Sequence, residues 1–122
     1  MDKVNAVIDL NCIEDLRKLQ RPGRPDFVAE LIELFIESFD TGLLKIQTFV
    51  AEKDLRSLSA LTHSLKSNAA SLGALSLAEL LLRMEKMANG DLATESFDIL
   101  ADQIKSEYHK AKNALETLKA KV

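Results

Sequence analysis

Between Phe27 and Val50 the apolar residues Phe27, Leu31, Leu34, Phe35, Phe39, Leu43, Ile46 and Val50 return mostly every three or four positions. That spacing follows the 3.6-residue turn of an α-helix and lays one apolar stripe along it, so the segment is predicted to be a long amphipathic helix with a face to bury. The same rhythm recurs in Leu55, Leu58, Thr62, Leu65, Ala69 and Leu72, then in Leu77, Leu80, Leu81, Met84 and Ala88. It returns a last time in Phe97, Leu100, Ile104, Tyr108, Ala111, Leu115 and Leu118. No long stretch alternates at period two, and with aromatics at 5% and Leu, Ala, Glu and Lys abundant, the material favours helices over strands.

Punctuation divides these stripes. Asn11 is expected to cap a short helix reaching about Gln20, and RPGRP at 21–25 breaks it, with Pro25 suited to the first turn of the next. Asp40, Thr41 and Gly42 are expected to bend the long helix, Asp54 to cap the one after it, and Gly73 to stop that one at Leu72. Ser76 and Glu79 have capping-box spacing, Asn89-Gly90 is a terminator, and Thr94 is expected to cap the final helix. Helices with one apolar face each and short links pack antiparallel. The expected fold is all-α: an antiparallel four-helix bundle with a short additional N-terminal helix, one domain over 1–122 with its core bundle at about 25–120.

Several functions are excluded early. A net charge of -3 with 29% charged residues gives no nucleic-acid footprint, and Lys105, Lys110, Lys112, Lys119 and Lys121 are interleaved with Glu107 and Glu116 as on a solvated face. Cys12 is the single cysteine, so no internal disulfide forms and a small packed thiol in a reducing, cytoplasmic setting is expected. No run approaches the roughly 18 apolar residues of a membrane span, and MDKVNAVIDL lacks the apolar core of a signal peptide. His63, His109 and Cys12 have no metal-ligand spacing, His109 reads as a surface residue, and no Ser/His/Asp or Cys/His grouping suggests hydrolysis.

His63 is different. At about 100° per residue it lies about 135° from the centre of its helix's apolar stripe, so the imidazole is expected to be exposed. One turn away on either side stand Ala60 and Ser67, both small, and Lys66 follows three positions on, where an ammonium can meet a negatively charged adduct on the ring. An exposed nucleophile, a small surround and a nearby cation form one coherent set.

The run H-S-L-K-S-N-A-A-S-L-G-A from His63 to Ala74 resembles the signature of histidine-phosphotransfer (HPt) domains, the phosphocarriers of two-component relays. Leu65-Lys66, the small run Ala69-Ala70-Ser71 and Gly73-Ala74 match that pattern in register, and Glu85, 22 positions after His63, falls where the family commonly has Glu or Gln facing the histidine. Ser67 departs from it, standing where the family usually has glycine; it keeps the flank small but adds a hydroxyl.

The resemblance implies that His63 is the phosphoacceptor and that Lys66 offsets phosphoryl charge. Glu85 or Asn68 would orient the ring through its other nitrogen, although simple geometry points Asn68 elsewhere. Ala60, Ala70, Ala78 and Leu82 are the candidate docking contacts, Leu82 because it lies about 140° from the core stripe of its own helix. Partners would be response-regulator receiver domains and a hybrid sensor histidine kinase, with the receiver supplying Mg2+ and the aspartate. The chain itself would bind no cofactor or metal, and, with four glycines and no Walker-type cradle, it should neither bind ATP nor act as an autokinase. A monomer is expected, and the opening Met1 suits a free-standing carrier. The competing reading is an HPt-like module that regulates a kinase, receiver or enzyme by docking, with phosphorylation secondary; a pure adaptor has no chemical need for His63 and Lys66.

Overall fold

The computed structural model describes residues 7–24, 26–91 and 95–120, with residue 120 described for its backbone only. Pro25 and Thr94, expected at helix starts, lie outside the described residues. The described chain is all-helical: α1 (Leu10–Arg17), α2 (Phe27–Glu52), α3 (Leu55–Ser71), α4 (Leu75–Ala88) and α5 (Phe97–Ala120). α2 packs on α3 and α5, and α4 packs on the same two, so α2 to α5 close a four-helix ring while α1 lies against α2. Short links force each helix to run back along the one before it.

Helix starts follow local side-chain chemistry. Asp26 accepts from the Ala29 amide at 3.1 Å and Asp54 from the Ser57 amide at 3.2 Å, satisfying N–H groups that the first turn leaves unpaired. Ser96 does the same for α5, its hydroxyl accepting from the Ile99 amide at 3.1 Å. Two expected caps are displaced. Asp9, not Asn11, caps α1 by accepting from the Asn11 amide at 2.9 Å; the helix already starts at Leu10, so Asn11 lies inside its first turn as a donor. α1 also stops at Arg17, since Gln20 is used otherwise: its side-chain oxygen accepts from the Phe27 amide at 2.7 Å and its nitrogen donates to the Arg21 and Arg24 carbonyls. The Ser76/Glu79 capping box does not form. α4 begins two residues earlier than that box requires, with Ala74 at its N-cap and no side-chain cap, so Ser76 is already inside the helix.

α2 runs unbroken through Asp40, Thr41 and Gly42 rather than bending there. Gly42 is buried, and a Cβ on it would stand 2.9 Å from Leu65 Cδ1, so this glycine admits the side chain of α3. Asp40 accepts a 2.7 Å hydrogen bond from the Tyr108 phenol, which also approaches the Ile36 carbonyl at 3.3 Å. Burial, with Asp40 adding to it, pushes that phenol well above the usual range and keeps it a donor. Tyr108 stacks on Phe39 with centroids 5.0 Å apart, fixing α5 against α2.

The core face of α2 is Val28, Ile32, Phe35, Phe39, Gly42 and Ile46. Leu34, counted with the stripe on spacing alone, is 57% exposed, because over 26 residues the buried face is set by neighbours on both sides and apolar residues were available on either flank of it. The other three stripes turn inward largely as expected, with Leu58, Thr62, Leu65, Ala69, Leu77, Leu81, Met84, Leu100, Ile104, Tyr108, Ala111 and Leu115 buried.

The α3–α4 turn is the tightest point. Gly73 has φ +80, and a Cβ there would lie 2.6 Å from the Asp9 carbonyl oxygen, while the Asp9 amide donates to the Gly73 carbonyl at 2.8 Å. The glycine therefore ends α3 and also admits the N-terminal segment, whose Ile8 and Ile13 enter the core. Gly73→Ala is expected to destabilise the fold by at least about 1–2 kcal/mol, the cost of a left-handed alanine before the clash with Asp9 is added. An unchanged urea midpoint would contradict this account.

Candidate functional site

Because the α3–α4 turn is only three residues long, residues equidistant in sequence from Ala74, its last residue, come to similar heights on the two helices. His63 and Glu85 are 22 residues apart and lie eleven on either side of it. Ser59 and Asn89, 30 apart and centred on the same residue, are joined by a 2.8 Å hydrogen bond from the Ser59 hydroxyl to Asn89 Oδ1, an independent marker of the same register.

In that register Glu85 bridges two side chains of α3. Its Oε2 lies 2.9 Å from His63 Nδ1 and its Oε1 accepts from Lys66 Nζ at 2.8 Å. The three differ in exposure: the His63 side chain is 64% exposed, Lys66 25% and Glu85 15%. The carboxylate is thus the shielded member and the imidazole the open one. The Lys66 bond holds the Glu85 carboxyl below the usual glutamate range, His63 adds to this, and partial burial opposes it. An ionised carboxylate only accepts, so His63 Nδ1 is the donor, and the neutral ring carries its lone pair on Nε2.

Ala60 and Ser67, on the same row as His63, are both exposed and leave the imidazole uncovered. Asn68 is not brought to the ring; it lines a groove of about 280 Å³ between α2 and α3 with Leu31, Leu34, Phe35, Ser38, Ser71 and Leu72. Of the docking candidates, Ala70 is exposed, whereas Ala78 and Leu82 are half-buried, so Leu82 offers part of its side chain rather than a free apolar knob. Leu34, which lines the same groove as Asn68, is the more exposed leucine; the sequence signal for its place off the core face is the spacing of Val28, Ile32, Phe35 and Phe39, which leaves Leu34 to one side. Cys12 is half-buried near Gly73, and burial, with Asp9 and Asp15, pushes its thiol up, so it is not poised as a nucleophile. His109 is exposed on α5. Among the described residues no three His, Cys, Asp or Glu side chains gather closely enough to hold a metal ion, and no helix is long and apolar enough to cross a membrane.

Comparison with known proteins reports the same region. The family model of the Hpt domain matches residues 30–120. The chain is similar to histidine-containing phosphotransfer protein 1 of Arabidopsis thaliana, at 28% identity over 117 residues, covering 94% of this chain and 75% of that protein. It is also similar to histidine-containing phosphotransfer protein 5 of the same plant, at 35% identity over 68 residues, covering 52% of this chain and 43% of the relative.

The Glu85 bridge has a pH signature with a definite sign. A carboxyl whose folded value is depressed stabilises the fold fully above its unfolded range and loses that contribution as pH falls through the folded value. The stability gap between wild type and Glu85→Gln, measured by urea unfolding, is therefore expected to be full above about pH 5.5 and to shrink as pH is lowered past about 4.3. A gap that stays constant down to about pH 3 would mean that the bridge is not ionic.

Proposed function

The chain belongs to the Hpt domain family, and on that premise we propose that it carries a phosphoryl group on His63 Nε2 between the aspartates of receiver domains. Members of the family are phosphocarriers of phosphorelays rather than kinases, working with histidine kinases and receiver domains. The observation that supports the finer reading most is the Glu85 carboxylate 2.9 Å from His63 Nδ1, because it occupies that nitrogen and leaves Nε2 open to react.

The step follows from the side chains. Nε2 attacks the phosphorus of an aspartyl phosphate in line with its acyl oxygen; the N–P bond forms, the P–O bond breaks, and the aspartate leaves as carboxylate. The phosphorylated ring becomes cationic, with Nδ1–H still donating to Glu85, whose charge stabilises it. Transfer onward reverses the same bonds, so Glu85 must not bind the cation too tightly. Lys66 limits this by sharing the carboxylate, and it offsets the charge that the phosphoryl group brings to the site. Ala60 and Ser67 keep the approach to Nε2 open for a folded partner, and Ala60, Ala70, Ala78 and the uncovered part of Leu82 form the surrounding contact. Such a patch suits a transient interface, which exchange between donor and acceptor requires. The receiver contributes the aspartate and the magnesium ion; this chain acts as a monomer without a cofactor of its own.

The test is transfer of radiolabel from a phosphorylated receiver, with magnesium, to wild type, His63→Gln and Glu85→Gln. Wild type is expected to take up acid-labile, base-stable label and His63→Gln none, with partner binding almost unchanged. Glu85→Gln, which keeps the shape and removes the charge, is expected to slow transfer about tenfold. Label on His63→Gln would overturn the site; binding of several receivers without label on wild type would leave a docking module in its place.

A further inference from the structure

Lys66 is occupied by Glu85 at 2.8 Å, so the cation nearest in sequence to His63 is already committed before any phosphoryl group arrives. The phosphoryl oxygens gain from a donor that is close, exposed and loosely held. Ser67 meets all three conditions. It is exposed and one turn beyond His63 on the same row, and helical side chains lean toward the N-terminus, so its hydroxyl overhangs the turn that carries the imidazole.

Its present bond is the longest of its kind among the described residues. The Ser67 hydroxyl donates back to the His63 carbonyl at 3.4 Å, outside the range of about 2.5–3.0 Å for a good O–H···O bond. Equivalent back bonds from Thr62, Ser71 and Thr117 measure 2.9, 2.9 and 2.9 Å, and that from Thr48 3.2 Å. Little is lost when this hydroxyl turns away. The ring, in contrast, is held by Glu85 through Nδ1, which directs Nε2 away from α4.

The geometry points to Ser67 as a phosphoryl-binding residue: once His63 is phosphorylated, the Ser67 hydroxyl exchanges its long bond to the His63 carbonyl for one to a phosphoryl oxygen. This rests on His63 being the phosphoacceptor and adds a donor that a glycine or alanine at the same place would lack. The consequence is a longer-lived phosphohistidine. Loss of the group to water passes through a loose, metaphosphate-like state in which the outer oxygens carry less charge, so a donor to them stabilises the ground state more than the transition state.

The experiment needs no receiver. Phosphoramidate is the donor: Nε2 attacks its phosphorus, the N–P bond to His63 forms, and the original P–N bond breaks with release of ammonia. Wild type, Ser67→Ala, Ser67→Gly and Ser67→Thr are phosphorylated, and the half-life of phospho-His63 and its ³¹P chemical shift are recorded. Ser67→Ala and Ser67→Gly are expected to lose the group about fivefold faster and to share a shifted ³¹P signal, with Ser67→Thr close to wild type on both counts. If wild type and variants phosphorylate but agree in half-life and shift, the hydroxyl has no role and Ser67 is only a small flank. If wild type takes no phosphoryl group on His63 even from phosphoramidate, the phosphoacceptor reading fails and this inference fails with it.

Discussion

The α3–α4 turn is the constraint on which both the bundle and its reactive face depend. Two helices joined by three residues have almost no freedom to slide, and Gly73 at φ +80 is the residue that allows so short a reversal. The Asp9 backbone then closes over it, with an amide-to-carbonyl bond of 2.8 Å and no space for a side chain. The turn is therefore held from outside as well as by its own conformation. From it follow the Ser59–Asn89 bond and the Glu85 bridge, two contacts at different heights of one register.

The chemistry is arranged so that burial and reactivity fall on different atoms. The carboxylate is the most shielded of the three groups, and it is kept ionised by a lysine rather than by water. The imidazole is bound at one nitrogen only and stays mostly exposed. A ring bound at both nitrogens would be rigid and inert; one bound at neither would exchange tautomers freely. Binding through Nδ1 alone leaves one orientation and one nucleophilic atom.

Much of this was readable in the sequence, and the failures have physical causes. Four stripes with helical spacing are a strong signal, so the number of long helices and most of their inward residues could be read off directly. The exposure of His63 followed from the angle between it and the stripe of Leu58, Thr62, Leu65 and Ala69. Ends of helices were less readable, because the side chain that wins a cap depends on competitors nearby. Asp9 starts α1 two residues before Asn11 and takes the Asn11 amide as its donor, and at Ser76 the turn is so tight that the helix has started before the motif can cap it. Contacts distant in sequence left no local trace. Nothing around Asp40 announces that Tyr108, 68 residues away, donates to it, so a residue suited to bending a helix proved to be an anchor between two of them.

The 22-residue interval between His63 and Glu85 is itself a consequence of the turn rather than an independent feature. Glu85 faces His63 because each is eleven residues from Ala74, and every residue of α4 is placed by counting from that point. A slip of α4 by one residue would move Glu85 by about 1.5 Å along the helix and rotate it by about 100° about the helix axis. The carboxylate would leave the α3 face, while Leu77, Leu81 and Met84 would be turned out of the core in the same movement. A slip that broke the site would thus expose three large apolar side chains, each worth about 1.5–3 kcal/mol when buried. The core of α4 therefore enforces the alignment of the exposed histidine with its carboxylate, and the geometry at the surface is as firm as the packing beneath it.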